Sequence, residues 1–218
     1  MEQNVQGDGT MWLFKKFVGN TRKPEGFLGA RMISGMNFGH ARVSDWGMGH
    51  FPKLAPQRIA DLGCGGGRNA AELLKRYTKA IVTAVDYSPL SVKKAKAYNR
   101  EHIEAGRCIV QEGDVAALDL PDEAFDLATA FETIYFWPGP EECFREVRRI
   151  LKHGGYFMIV NESSDGTDAE SLKYEKIIEG MKNYTLPQIT EYLQKAGFTE
   201  VWDVHHSEKP WIVVAAKK

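Results

Sequence analysis

The residues of this chain that could do chemistry gather where apolar runs stop. Asp61 ends the run Arg58-Ile59-Ala60, and Gly63, Gly65 and Gly67 alternate through the following turn with Cys64 among them. Glycines there remove side chains where the backbone must bend sharply and let a ligand approach its amide groups. Asp86 ends the next apolar run, and Asp114 follows Gly113 after a third. Something is bound where the first run ends, and the acids matter as much as the glycines. The same letters permit a pyrophosphate-binding turn, since Gly65, Gly67 and Ala70 have the dinucleotide-enzyme spacing with Asp86 about one strand later. They also permit a plain glycine-rich strand-to-helix turn without a ligand.

The elements that must position these residues alternate between strand-like and helix-like segments from Arg58 onward, the pattern of a parallel sheet covered by helices on both faces. Strands are expected at Arg58–Asp61, Ala80–Asp86, Cys108–Val110, Phe125–Ala130 and Tyr156–Val160. Ser88 and Pro89 predict a helix start, a hydroxyl cap followed by a proline that loses no amide partner, with the helix running to about His102. Pro140 opens another helix with Phe144, Val147, Ile150 and Leu151 on one face, and Lys152, His153 and Gly154 are read as its C-terminus and cap. A further helix is expected over 169–181, and Thr185 with Gln188 forms a capping box for the last one, closed by Gly197. Glu200–His206 and Trp211–Ala216 read as a closing hairpin rather than another crossover.

Composition removes several classes of function. At 218 residues the chain suits one α/β domain with a generous core, or a domain with a small N-terminal extension. A net charge of -1, with basic and acidic residues interspersed, gives no general attraction to nucleic acid phosphates, so no nucleic-acid partner is expected. Cys64, Cys108 and Cys143 form no C-x-x-C pair, no His, Cys or carboxylate cluster has ligand spacing, and no metal is expected. No apolar run approaches the roughly twenty residues of a membrane span. A soluble, reduced, cytoplasmic setting without stable membrane insertion is therefore expected, the short apolar and basic segment 11–18 serving as a lid or surface element.

Taken in order, DLGCGGG at 61–67, AVDYSP at 84–89, EGDV at 112–115, FDLATAFETIYFW at 125–137 and EVRRILKHGGYFMIVNE at 146–162 carry a family resemblance. The chain resembles the class I S-adenosylmethionine-dependent methyltransferases of the small-molecule type, including those of quinone biosynthesis, from Arg58 to Lys218. The resemblance implies a Rossmann-like, doubly wound, mostly parallel seven-stranded sheet ending in an antiparallel hairpin. It implies a methyltransferase domain over 53–218 and a helical extension or lid over 1–52. The cofactor implied is S-adenosyl-L-methionine. Gly63, Cys64, Gly65 and Gly67 would pass close to its methionine portion, Asp61 would help hold the ammonium, and Asp86 would accept both ribose hydroxyls. Tyr87 would lie against the adenine, Gly113, Asp114 and Val115 would contact its edge, and Phe131 would line the crevice.

Methyl transfer from a sulfonium proceeds in line, so the protein mainly positions the acceptor and, where required, accepts its proton. His40, Glu132 and Tyr135 are the candidates for that work, with His50 a further histidine in the extension, and Asn37 and Trp46 sharing its Gly- and Met-rich stretch. Tyr135, Phe136 and Trp137 form an aromatic group suited to an apolar or planar small-molecule acceptor. A nicotinamide-dependent oxidoreductase and a non-catalytic cofactor-binding module of the same fold remain as alternatives.

Overall fold

The structure, a computed structural model, describes residues 35, 39–162, 175–178 and 180–218. Asn37, the segment 11–18 and most of the helix expected over 169–181 lie outside the described residues.

A seven-stranded sheet organises the chain, with strands in the order β3-β2-β1-β4-β5-β7-β6. Strands β1 (Arg58–Leu62), β2 (Ile81–Asp86), β3 (Cys108–Glu112), β4 (Phe125–Phe131) and the start-to-end direction of β5 (Leu151–Asn161) are parallel. Strand β7 (Ile212–Lys217) enters antiparallel between β5 and β6 (Glu200–His205). The central strands are buried on both faces, which explains their continuous apolar runs rather than alternation.

The helices cover the two faces with separate cores. On one face α1 (Ala41–Gly49), α2 (Arg68–Arg76) and α3 (Pro89–Tyr98) bring Val43, Leu73, Leu74 and Val92 onto Ile59, Val82 and Met158. On the other, α5 (Pro140–Ile150) and α6 (Leu186–Lys195) bring Phe144, Val147 and Leu193 onto Phe125, Phe157 and Val214. The side chains of Phe144 and Phe157 meet edge to face at 5.6 Å. The N-terminal α1 is seated closely: a Cβ on Gly47 would stand 2.5 Å from Val160 Cγ1, and Arg68 donates to both carboxylate oxygens of Asp45 at 2.7 Å.

Two expected boundaries differ. The helix predicted to reach His102 breaks at Asn99, giving α3 and the short α4 (Arg100–Glu104). The Asn99 amide donates to Gly67 O at 2.8 Å and to Ala95 O at 3.1 Å, tying this break to the glycine turn. The second difference lies at Lys152, His153 and Gly154, which belong to β5 and not to a helix C-terminus. Leu151 adopts extended backbone, is fully buried and pairs with Phe125, which ends α5 at Ile150. The next pair in register is Leu127 with Tyr156, so the intervening residues bulge, with Gly154 at φ +75° and Lys152 Nζ donating to Asp126 Oδ1 at 2.6 Å.

The capping box holds as read: Thr185 Oγ1 accepts from Gln188 N while the Gln188 side chain accepts from Thr185 N at 2.9 Å. Gly197 follows the helix at φ +93°.

Candidate active site

The C-terminal ends of β1, β2, β3 and β4 meet in one cleft, the position where open α/β sheets bind ligands. The glycine turn is built from β2 outward, since Gly63 N and Cys64 N both donate to Val85 O, at 2.8 and 3.0 Å. Each alternating glycine has its own reason. Gly63, at φ +73°, has no room for a Cβ, which would fall on the Thr133 hydroxyl, whereas a Cβ on Gly65 at φ +52° would meet nothing within 4 Å. Gly67 starts α2 in the left-handed conformation and lies against Ala95.

Asp86 is buried, and its carboxylate closes the turn: Oδ2 accepts from Gly65 N at 2.8 Å and Oδ1 from Ser88 N at 2.9 Å. Burial raises its pKa against the lowering pull of these amides. The Ser91 side chain also hydrogen-bonds this carboxylate, which as a four-site acceptor keeps capacity toward the cleft for a ribose hydroxyl.

Asp61 lies beneath the turn at 1% exposure and does not form the cleft surface itself. Its Oδ1 accepts from the Thr129 hydroxyl at 2.9 Å, and its Oδ2 has no partner among the described residues. Burial raises this carboxyl to about 7, with the Thr129 bond opposing and the Asp86 charge adding. Cys64 is buried and free, and burial pushes its thiol far up, so it acts as a small residue that fits the turn. Tyr87, Gly113, Asp114 and Val115 line the cleft beyond β2 and β3. Asp114 also accepts from Ala116 N at 2.9 Å, a local turn bond.

The opposite wall comes from the end of β4 and from α1. Phe131 and Glu132 stand side by side, and Glu132 holds φ +54°, rare for a residue with a side chain. Glu132 N donates to Val160 O at 2.9 Å, while its carboxylate accepts from Glu162 N and from Tyr135 Oη, the latter at 3.2 Å. Burial, with the Glu162 charge added, raises Glu132 to about 8. His40, on the residue before α1, lines the same cleft. Burial lowers its pKa and the Glu162 carboxylate partly opposes this.

The expected site residues thus fall into groups. His40, Gly63, Cys64, Gly65, Asp86, Tyr87, Gly113, Asp114, Val115, Phe131 and Glu132 line the cleft together. Gly67 and Asp61 support it from beneath. Tyr135 sits behind Glu132 and reaches the cleft only through that carboxylate, while Phe136 and Trp137 form the aromatic wall. His50 bonds Trp46 O at 2.8 Å outside the cleft. Sequence reasoning missed Ser44, Arg68, Asn69 and Thr133 in the lining and Glu162 beside Glu132. Only the glycine at 63 could have signalled Thr133, through the close approach it permits.

Comparison with known proteins agrees with this geometry. Residues 60–159 match the family described as "Methyltransferase domain". Cycloartenol-C-24-methyltransferase of Arabidopsis thaliana is 27% identical over 71% of this chain and 49% of its own length. The 27-O-demethylrifamycin SV methyltransferase of Amycolatopsis mediterranei is 26% identical over 81% of this chain and 67% of its own. A solved S-adenosylmethionine-dependent methyltransferase from Aquifex aeolicus superposes with a TM-score of 0.70 at 18% identity, covering 86% of this chain and 97% of that one. The chain spans about half the length of the first curated relatives it matches, 49% and 44% of two of them.

Residues 60–159 match the methyltransferase family model, the fold and glycine turn agree with that match, and the dinucleotide reading of Gly65, Gly67 and Ala70 is set aside. The donor set fits S-adenosyl-L-methionine: the buried Asp61 oxygen without a partner suits an ammonium through water, the remaining Asp86 acceptor capacity suits a ribose hydroxyl, and Gly65 leaves open space for the approach. Among the described residues no helix is long and apolar enough to cross a membrane.

Proposed function

We propose that this protein transfers a methyl group from S-adenosyl-L-methionine to a small-molecule acceptor by in-line displacement. The observation that carries this reading is the single cleft in which the Gly65–Asp86 side and the His40–Glu132 side face one another. The cofactor supplies an activated methyl on a sulfonium, which departs as a neutral thioether.

The chain's own residues bind, orient and exclude water. Asp86, anchored by the Gly65 and Ser88 amides, presents its remaining acceptor capacity to the ribose, and Asp61, beneath the turn, answers the ammonium through water. Tyr87, Asp114 and Val115 flank the adenine end. Phe131, Phe136 and Trp137 supply apolar walls that suit a planar or apolar acceptor. His40 and Glu132 are the polar groups on the acceptor side and fix its nucleophilic atom, with Tyr135 acting through Glu132. The extension up to residue 52, of which α1 is the described helix, contributes His40 and Ser44 to this wall. The methylated molecules named in the relatives, among them cycloartenol and a rifamycin, support a small-molecule acceptor.

S-adenosylhomocysteine should raise the melting temperature of the protein by several degrees, and mass spectrometry of reactions offered an acceptor library should show a product heavier by one methylene. Binding of the cofactor with no product from any acceptor would support the non-catalytic module instead.

A further inference from the structure

The side chains of His40, Glu132 and Glu162 come from three separate parts of the chain, and one potential ligand atom from each lies within 4.8 Å of the other two. Ideal octahedral bonds of about 2.1 Å place neighbouring ligands roughly 3 Å apart and opposite ones about 4.2 Å apart. Closing this set on one ion therefore takes side-chain movements of a few tenths of an ångström to about 1 Å. No Lys or Arg among the described residues forms an ion pair with Glu132 or Glu162. Both are held from outside the set: Tyr135 Oη donates to Glu132 Oε2, and Trp211 Nε1 donates to Glu162 Oε1, both at 3.2 Å. Such outer hydrogen bonds aim metal-binding carboxylates.

A separate observation points to a ligand here. The Ser44 hydroxyl, one helical turn after His40, is 1% exposed, lines the same cleft and has no hydrogen-bond partner among the described residues. A buried hydroxyl left so is costly unless a bound group satisfies it.

We propose that His40, Glu132 and Glu162 bind a divalent transition-metal ion beside the methyl donor, leaving open positions for an oxygen of the acceptor, with Ser44 hydrogen-bonded to the group that fills one of them. One imidazole with two carboxylates suits Mn²⁺, Fe²⁺ or Zn²⁺ better than Mg²⁺, which prefers oxygen alone. Three protein ligands with open positions is the pattern of a reactive rather than a structural site. The acceptor class is then a hydroxyl, phenol or enol. Its O–H gives its proton to water when the oxygen binds the cation, the oxygen lone pair forms the new O–CH₃ bond, and the C–S bond breaks with its electrons left on sulfur. This deepens the methyltransferase reading and rests on it for the acceptor's role, while the ion site itself does not.

The test is calorimetric titration of the full chain, stripped with a chelator, with MnCl₂, ZnCl₂ and MgCl₂, together with electron paramagnetic resonance of bound Mn²⁺. One Mn²⁺ or Zn²⁺ per chain is expected, with Mg²⁺ weaker, and His40→Gln and Glu162→Gln should each weaken binding at least about tenfold. Both variants should keep the S-adenosylhomocysteine melting shift, which shows that they fold. Absence of saturable binding below about 1 mM, or binding that neither substitution changes, overturns the proposal. If the wild-type chain binds the metal but not S-adenosylhomocysteine, the methyltransferase reading fails and the ion site stands.

Discussion

Asp86 holds the glycine turn by accepting the Gly65 amide at 2.8 Å across a sequence separation of 21 residues. One carboxylate thus shapes the turn and, in the proposed complex, meets the ribose. Replacing Asp86 with Ala removes both roles, whereas Asn keeps one acceptor oxygen for the turn. Asp86→Asn keeps one of the two turn bonds and sets its NH2 against the other amide, so it should lose about 1–3 kcal/mol of folding stability as well as S-adenosylhomocysteine affinity. A charge-assisted hydrogen bond at about 1.5–3 kcal/mol makes the affinity loss roughly tenfold or more, and calorimetry reads it directly.

The glycines of the chain are not equivalent, and their substitution separates backbone strain from steric conflict. Gly63 and Gly154 have nearly the same φ, +73° and +75°, yet a Cβ on Gly63 falls on Thr133 while one on Gly154 meets nothing within 4 Å. Gly154→Ala should cost about 1 kcal/mol from the left-handed conformation alone. Gly63→Ala should cost clearly more, on the order of 2–4 kcal/mol with the added clash, and should also weaken cofactor binding. Urea unfolding of the two variants makes the comparison.

Asp61 gives the stability a pH dependence of definite sign. Its folded carboxyl lies at about 7, above the ordinary range, chiefly because burial disfavours the charge. Below about pH 4 it is neutral in both states and contributes no slope. As the pH rises toward 7 the unfolded chain releases this proton and the folded chain keeps it, so stability falls through that window and levels off above it. Asp61→Asn should therefore gain stability relative to wild type between about pH 4 and 7, by an amount on the order of a few kcal/mol at most. Urea unfolding at pH values across this range measures it, and a wild type that gains on the variant with rising pH contradicts the assignment.

Asn99 links the cofactor turn to a helix end through bonds to Gly67 O and Ala95 O. Asn99→Ala removes two donors from buried carbonyls, which should lower stability by about 1–3 kcal/mol. Because Gly67 starts α2, the same change should reduce the melting shift produced by S-adenosylhomocysteine, which a differential scanning experiment with and without ligand reports.

Much of the fold was legible because its signals are local. The strand-ending acids, the Ser88-Pro89 start, the Thr185–Gln188 box and the closing hairpin each depend on residues close in sequence. The boundaries that moved depend on distant partners: Asn99 answers Gly67, and Leu151 answers Phe125 across the ladder. The placement of β7 between β5 and β6 likewise follows from pairing rather than from any motif. The cofactor side of the cleft was readable because its glycines and acids lie along consecutive strands. The acceptor side was only partly so, since His40, Glu132 and Glu162 have no ligand spacing in sequence and meet only when α1 packs on β5. Tyr135 shows the converse, a residue beside the site in sequence whose side chain stands behind it.

Side-by-side titration of the wild-type chain with S-adenosylhomocysteine and NADH tests the central claim most directly. Saturable binding of one S-adenosylhomocysteine per chain, no binding of NADH, and loss of the signal in Asp86→Ala is the result this account predicts. Binding of NADH without S-adenosylhomocysteine, or equal affinity of wild type and Asp86→Ala for S-adenosylhomocysteine, would contradict it.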